Sequence, residues 1–327
     1  MNCIGGYFEL ELRTVEHYHQ NALKLNTARN CLEYLLRAKE YRKIFIPYYT
    51  CEVILEPIKK LKIDYEFYHI NQKLEPKNKY KLSNREAFLY TNYFGLKQEA
   101  VQDLANCYNK NLIVDNSQAF YAKPIEGIDT FYSARKFFGV PDGAYLYTNK
   151  YLEEKLEQDI SYTRMLHLLK RIDIGAEAGY SDFQQNDSLL NNQPIKRMSN
   201  LTDKLLKSIN YEETKLRRRK NYEILSNELQ NDNQIDFGFD ESSVPMLYPY
   251  FSKRNKLRKK LIKNKIFVAK FWENVLGWCN SNSFEYKFVE MLIPLPIDQR
   301  YAKNEMLKIM EVMNHDIERE NSNIKSN

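Results

Sequence analysis

No run of apolar residues in this chain reaches the roughly 18 that a membrane-crossing helix needs, so no span is expected. The opening MNCIGGYFELELR has neither a basic start nor an apolar signal core, so export is not expected and a cytoplasmic location is. Cysteine is sparse and scattered: Cys3, Cys31, Cys51, Cys107 and Cys279 form no C-x-x-C pair. That argues against a disulfide framework and a zinc site, and reads as reduced thiols. The histidines are dispersed, and the close pair His17 and His19 is spaced i, i+2, which on a helix does not face one ion. No metal is expected. No internal repeat is visible.

What is present describes a soluble globular protein, with 43% hydrophobic and 28% charged residues. The length of 327 residues holds one large domain and a smaller one. A net charge of +6 owes much to two late basic runs, 215–220 (KLRRRK) and 253–265 (KRNKLRKKLIKNK). Leu216, Leu257, Leu261 and Ile262 interrupt these runs at helical spacing. The runs therefore read as solvated faces of amphipathic helices, and nucleic-acid binding is not expected.

Through the first half, apolar runs alternate with helical patterns, the signature of a mostly parallel sheet with crossover helices. Helices are predicted over 28–39, 51–61 with a kink at Pro57, 99–109 and 151–171. Strands are predicted at 44–47, 65–68, 87–90, 112–114, 128–132 and 144–147. The stretch 173–194, rich in Asn, Gln, Gly and Ser, reads as a long irregular segment with a functional role. One long amphipathic helix is predicted over 201–229, bridging into a C-terminal α/β layer. That layer comprises 246–251, 253–264, a strand at 288–293, a helix at 302–315 and a frayed polar tail from 318.

The most informative stretch is 111–143, NLIVDNSQAFYAKPIEGIDTFYSARKFFGVPDG. The apolar run Leu112-Ile113-Val114 ends in Asp115, and Gln118 follows three residues later. A second apolar piece, 128–132, leads into Ser133-Ala134-Arg135-Lys136, and Gly139 and Gly143 bracket a Pro-Asp turn. A carboxylate ending one buried strand and a lysine just past the next are what pyridoxal phosphate needs. The carboxylate keeps the pyridine nitrogen protonated, and the lysine holds the aldehyde as a Schiff base.

This stretch resembles the DegT/DnrJ/StrS family of sugar aminotransferases, which have the aspartate-aminotransferase-type fold (fold type I). Asp115-Asn116-Ser117-Gln118 matches that family's Asp-x-x-Gln, and Lys136 with Asp142-Gly143 matches its lysine followed by an acid and glycines. Arg197-Met198-Ser199, the arginines at 217–219, and Leu292-Ile293-Pro294-Leu295-Pro296-Ile297 are similar to later family segments. The resemblance covers most of the chain and is weakest at 7–25 and 170–194. It implies a large cofactor-binding α/β domain, 1–205, whose mostly parallel central sheet is flanked by helices, and a smaller C-terminal α/β domain, 206–327.

It also implies roles. Lys136 is the Schiff-base lysine, expected to be buried, and Asp115 is the partner of the pyridine nitrogen. Gln118 reaches the ring edge or phenolic oxygen. The phosphate meets the capping Thr27 and the amides of Ala28 and Arg29 at a helix start, with Ser133 as a second ligand. This start lacks the family's glycine and adds the charge of Arg29. Cys51 stands where the family often stacks an aromatic on the ring, with Tyr49 as a substitute, and Asn92 and Tyr93 lie beside the ring. Gly5-Gly6 reads either as a close approach to substrate or as an ordinary turn.

Ile195 falls where the family carries an asparagine that reaches the neighbouring subunit's phosphate, with Asn192, Lys196 or Arg197 as replacements. The expected protein is a pyridoxal 5'-phosphate-dependent homodimeric aminotransferase, with 173–197 reaching across the two-fold axis. Its substrates would be an amino donor and a keto-sugar, nucleotide-linked, in polysaccharide or amino-sugar biosynthesis. Two alternatives stay open: a cofactor enzyme acting on another keto substrate, and a degenerate, non-catalytic relative.

Overall fold

The computed structural model describes residues 4–254 and 256–324, with side chains to 313. In chain order, the first half runs β1 (Leu23–Leu25), α1 (Ala28–Ala38), β2 (Lys43–Pro47), α2 (Leu55–Lys60), β3 (Asp64–Tyr68), β4 (Glu86–Thr91), α3 (Gln98–Tyr108), β5 (Leu112–Asp115), β6 (Asp129–Ser133) and β7 (Ala144–Tyr147). These strands form one sheet in the order β1-β7-β6-β5-β4-β2-β3. β7 is antiparallel to both its neighbours, so β1 runs with the remaining five and the sheet is mostly parallel.

Strand alternation sends side chains to two cores. Ile44, Ile46, Leu89, Ile113 and Phe131 meet α1 and α2 on one face, where Leu32 and Leu35 are fully buried. Phe45, Phe88, Tyr90, Leu112 and Val114 face α3 and the C-terminal elements. Strands covered on both sides read as continuous apolar runs, which is why β4 and β5 were legible.

The second half continues with α4 (Leu166–Asp173), α5 (Tyr180–Leu189), α6 (Asn200–Lys207), α7 (Tyr211–Leu229), β8 (Leu247–Phe251), α8 (Leu257–Lys263), α9 (Asn274–Trp278), α10 (Phe284–Met291), β9 (Leu292–Pro296) and α11 (Lys303–Ile324). β8 and β9 pair antiparallel. Tyr222, Leu225 and Leu229 of α7 share one core with Tyr248 and Tyr250 of β8 and with Met306, Ile309 and Met313 of α11.

Five expectations need correction. The helix expected over 151–171 starts only at Leu166, because Arg197 N donates to Glu157 O (2.8 Å) and Asp159 N to Arg197 O (3.0 Å). Backbone pairing with a distant segment overrides the local period. The stretch 173–194 holds a helix, α5, packed beside α4. The single helix over 201–229 is two helices, because Asn210 caps a new start by accepting from Glu213 N. The strand expected at 288–293 is the end of α10, capped by Ser283, and the strand proper is β9. The C-terminal helix runs to Ile324, beyond the point where a frayed tail was expected; 325–327, like Cys3, lie outside the described residues.

Candidate active site

Strand register builds the site. Thr91 lies opposite Asp115, Asp115 opposite Phe131, Ser133 opposite Ala144, and Ala144 opposite Leu25. The carboxyl ends of β1, β4, β5 and β6 therefore share one sheet edge, and the chain emerging from each carries a predicted residue. In an open α/β sheet this edge is where ligands bind.

Asp115 is buried and shares the α1-facing side with Ile113, close enough to Cys31 and Tyr93 for its charge to push both of their pKa values up alongside burial. Its Oδ1 accepts from Ser117 N at 2.8 Å. Among the described residues no cation pairs with it, which leaves its other oxygen for a protonated ring nitrogen. Gln118 is almost fully buried; its Oε1 accepts from Phe94 N at 2.9 Å, while its Nε2 has no partner. An orphaned buried amide donor costs about 1–3 kcal/mol, so this atom points to a ligand acceptor.

Lys136 ends a one-turn 3-10 helix after β6. The expectation of a buried lysine is corrected here: Lys136 is exposed, and among the described residues no carboxylate pairs with it. Its turn is nevertheless fixed. Phe137 N and Phe138 N both donate to Ala134 O, and Ala134 N donates to Gly143 O at 3.0 Å. Gly143 N in turn donates to Asn26 O at 2.6 Å, tying the lysine turn to the start of α1. Gly143 has φ of +110°, and a Cβ there would stand 2.8 Å from Thr202 Cγ2, so the position demands glycine. The neighbouring Asp142 is buried against Ser199 Oγ (3.1 Å), the Thr202 hydroxyl and Arg164. Burial pushes its pKa up.

At the start of α1, Thr27 caps the helix, accepting from Asn30 N at 3.1 Å. The amides of Ala28 and Arg29 have no acceptor among the described residues, as an anion site requires. The Arg29 side chain is engaged elsewhere, with Glu56 (2.6 Å) and Asn191 (2.7 Å). Ser133 is buried, and its hydroxyl has no partner among the described residues. Burial pushes the Cys51 thiol up, while the charges of Lys136 and Arg29 oppose this.

Other expectations fare differently. Asn92 does not offer its side chain to a ring: Oδ1 accepts from Lys97 N (3.0 Å) and Nδ2 donates to Gln98 Oε1 (3.1 Å). Tyr93 and Tyr49 are fully buried, with Tyr93 OH donating to Tyr49 O at 2.9 Å, so Tyr49 packs in the core rather than replacing a stacking ring. Ile195 is a core residue. Residues 191–197 lie along their own chain's α1: Asn30 Nδ2 donates to Gln193 O (2.9 Å) and Asn26 Nδ2 to Pro194 O (3.0 Å). Arg197 is exposed, Lys196 faces Glu157 at 3.7 Å, and Gly5-Gly6 stand in open space. Sequence reasoning missed Thr91, buried beside Asp115 with a partnerless hydroxyl, and Asn116, whose Oδ1 is likewise orphaned. Position at a strand end next to a motif residue was the signal available for both.

No family model and no curated protein matches the chain. Solved structures do. A DegT DnrJ EryC1 StrS aminotransferase from Brucella abortus is 12% identical, with 90% of this chain and 85% of that one covered and a TM-score of 0.58. The sugar aminotransferase CalS13 from Micromonospora echinospora is 14% identical over 89% and 86%, with a TM-score of 0.55. NtdA from Bacillus subtilis, with bound cofactor PMP, is 13% identical over 91% and 73%, with a TM-score of 0.62. At these identities the likeness shows a shared fold.

Proposed function

We propose that the chain is a pyridoxal-phosphate-dependent aminotransferase of the DegT/DnrJ/EryC1/StrS family, acting on a keto-sugar. The observation that carries this reading is the single sheet edge holding Asp115, Gln118, Ser133, the Lys136 turn and the open amides of α1. The residues fit the cofactor on two counts: Gln118 Nε2 is buried and partnerless, and Asp115 is a buried acid with no cation among the described residues. Likeness to sugar aminotransferases, one structure in the set holding PMP, supports the same reading.

Bound pyridoxal phosphate supplies an aldehyde that condenses with amines and a cationic ring that draws electrons from the substrate carbon. Asp115 would hold the proton on the ring nitrogen, and Gln118 Nε2 would donate to the phenolic oxygen. Thr27, Ala28, Arg29 and Ser133 would hold the phosphate, the first three through the helix start. Cys51 would lie against the ring. Lys136 Nζ would hold the aldehyde and afterwards move the substrate proton. Exposure of Lys136 suits a site closed by a second copy of the chain, with Arg197 facing the partner; the reading is therefore a homodimer. We take 1–205 as the cofactor-binding domain and 206–327 as the smaller one. A nucleotide-linked sugar, a role in polysaccharide or amino-sugar biosynthesis and a cytoplasmic location complete the reading.

Two observations favour a second reading, a non-catalytic relative: Lys136 is exposed and the α1 start has no glycine. Borohydride reduction with pyridoxal phosphate, followed by peptide mass mapping, separates the two. Label on Lys136, with a cofactor absorbance that shifts on adding an amino donor and returns with a keto-sugar, supports the enzyme. Label on another lysine, or none, overturns it.

A further inference from the structure

Nothing polar holds the Lys136 side chain among the described residues, so whatever aims it must act through its backbone turn. The carbonyl immediately after it, Phe137 O, receives two donors from the C-terminal part: Gln299 Nε2 at 2.7 Å and Arg218 Nη2 at 3.4 Å. Arg218 lies on α7 and is 1% exposed. Its Nε donates to Gln299 Oε1 (2.9 Å) and its Nη1 to Met246 O (3.0 Å) and Pro245 O (3.4 Å). The guanidinium also lies 4.5 Å from the ring centre of Phe137.

Every one of these acceptors is neutral, and the neighbouring acid, Asp298, is bonded to Arg300 (2.7 and 2.8 Å). Burial pushes the Arg218 guanidinium down to about 10. Asp298 acts on Arg218 only through its field; a buried cation with no hydrogen-bonded carboxylate is expensive to keep, and simple packing between α7 and the sheet would be better served by an apolar residue. The hydrogen bonds continue past Met246. Met246 N donates to Phe94 O at 2.8 Å, and Phe94, at φ +59°, donates its own N to Gln118 Oε1 at 2.9 Å. One hub therefore touches both the lysine turn and the loop that orients Gln118.

We propose that Arg218 and Gln299 are positioning residues for Lys136: they clamp the Phe137 carbonyl, so the C-terminal part sets the direction of the lysine and, through Met246 and Phe94, of Gln118. This rests on Lys136 being the cofactor lysine. Arg218 is the fixed centre, and Gln299 is the side chain that can be changed without emptying a buried site.

The decisive variant is Gln299→Glu. Its carboxylate keeps an acceptor for Arg218 but cannot donate to Phe137 O, so a purely structural role predicts an equal or more stable protein with unchanged chemistry. The proposal predicts an unshifted melting temperature, faster amide exchange over 134–140 in the cofactor-free chain, and labelling of Lys136 by pyridoxal phosphate and borohydride slowed roughly tenfold, about the loss of one hydrogen bond. Gln299→Met removes both bonds and serves if the glutamate variant does not fold. A folded variant with wild-type exchange and wild-type labelling overturns the clamp. If the wild-type chain is not labelled at Lys136, the cofactor reading fails; the exchange over 134–140 then decides the clamp by itself, with no change refuting it.

Discussion

His19 should make the protein lose stability as the pH falls through mild acid, and the size of the effect follows from its surroundings. The ring is 2% exposed, donates through Nε2 to Phe120 O at 2.8 Å, and packs 4.0 Å from the Tyr132 ring centre. Burial lowers its pKa from 6.5 to about 4. The folded chain thus resists a proton that the unfolded chain accepts below 6.5, so the stabilisation is full at neutral pH and declines as pH falls toward 4. At about 1.4 kcal/mol for each tenfold change, the loss is about 2 kcal/mol between pH 7 and pH 5 and about 3 by pH 4. Asp142 works in the opposite direction: its raised pKa adds stability at low pH that disappears as pH rises. His17 and His167, also lowered by burial, add to the His19 trend, and Asp129, also raised by burial, adds to that of Asp142, so the His19 share is read from a variant rather than from the wild-type curve alone.

His19→Gln keeps a donor for Phe120 O but does not titrate. Its constant packing cost drops out when slopes rather than absolute stabilities are compared. Urea unfolding from pH 4 to pH 7, followed by tryptophan fluorescence and circular dichroism, gives the slopes. The variant should gain about 2 kcal/mol relative to wild type on going from pH 7 to pH 5, and Asp142→Asn should lose stability relative to wild type over the same interval. Parallel curves for wild type and His19→Gln would refute the reasoning, because a histidine that titrates alike in both states contributes no slope.

Asp115→Asn should leave pyridoxal phosphate bound while turnover falls on the order of a thousandfold, several kcal/mol of transition-state stabilisation, as measured by steady-state kinetics; near-normal turnover would remove its role. Gly143→Ala should cost roughly 1–3 kcal/mol in thermal unfolding, because it adds a left-handed alanine and a contact on Thr202. Mixing Lys136→Ala chains with chains altered at Lys196 and Arg197 should restore activity through hybrid dimers that keep one intact site. No recovery despite proven subunit exchange would count against a shared site.

What could be read in advance divides along a physical line. The placement of Asp115, Gln118 and Lys136 at one sheet edge was legible because short buried parallel strands announce themselves as apolar runs, and the residue that follows a strand emerges at that edge whatever the rest of the chain does. Thr27 was legible because a cap is a local bond. The segment 151–161 was not: its helical spacing is genuine, yet Glu157 and Asp159 pair with Arg197, a partner no local window contains. For the same reason sequence offered Arg29 as a free charge, whereas Glu56 and Asn191 claim it in space. Arg218 is the extreme case. In KLRRRK it is indistinguishable from Arg217 and Arg219, and the basic run reads as a solvated face. Only the fold turns that one position inward, onto Phe137 and Gln299. Local chemistry thus picks out candidate residues, and long-range packing decides how they are aimed.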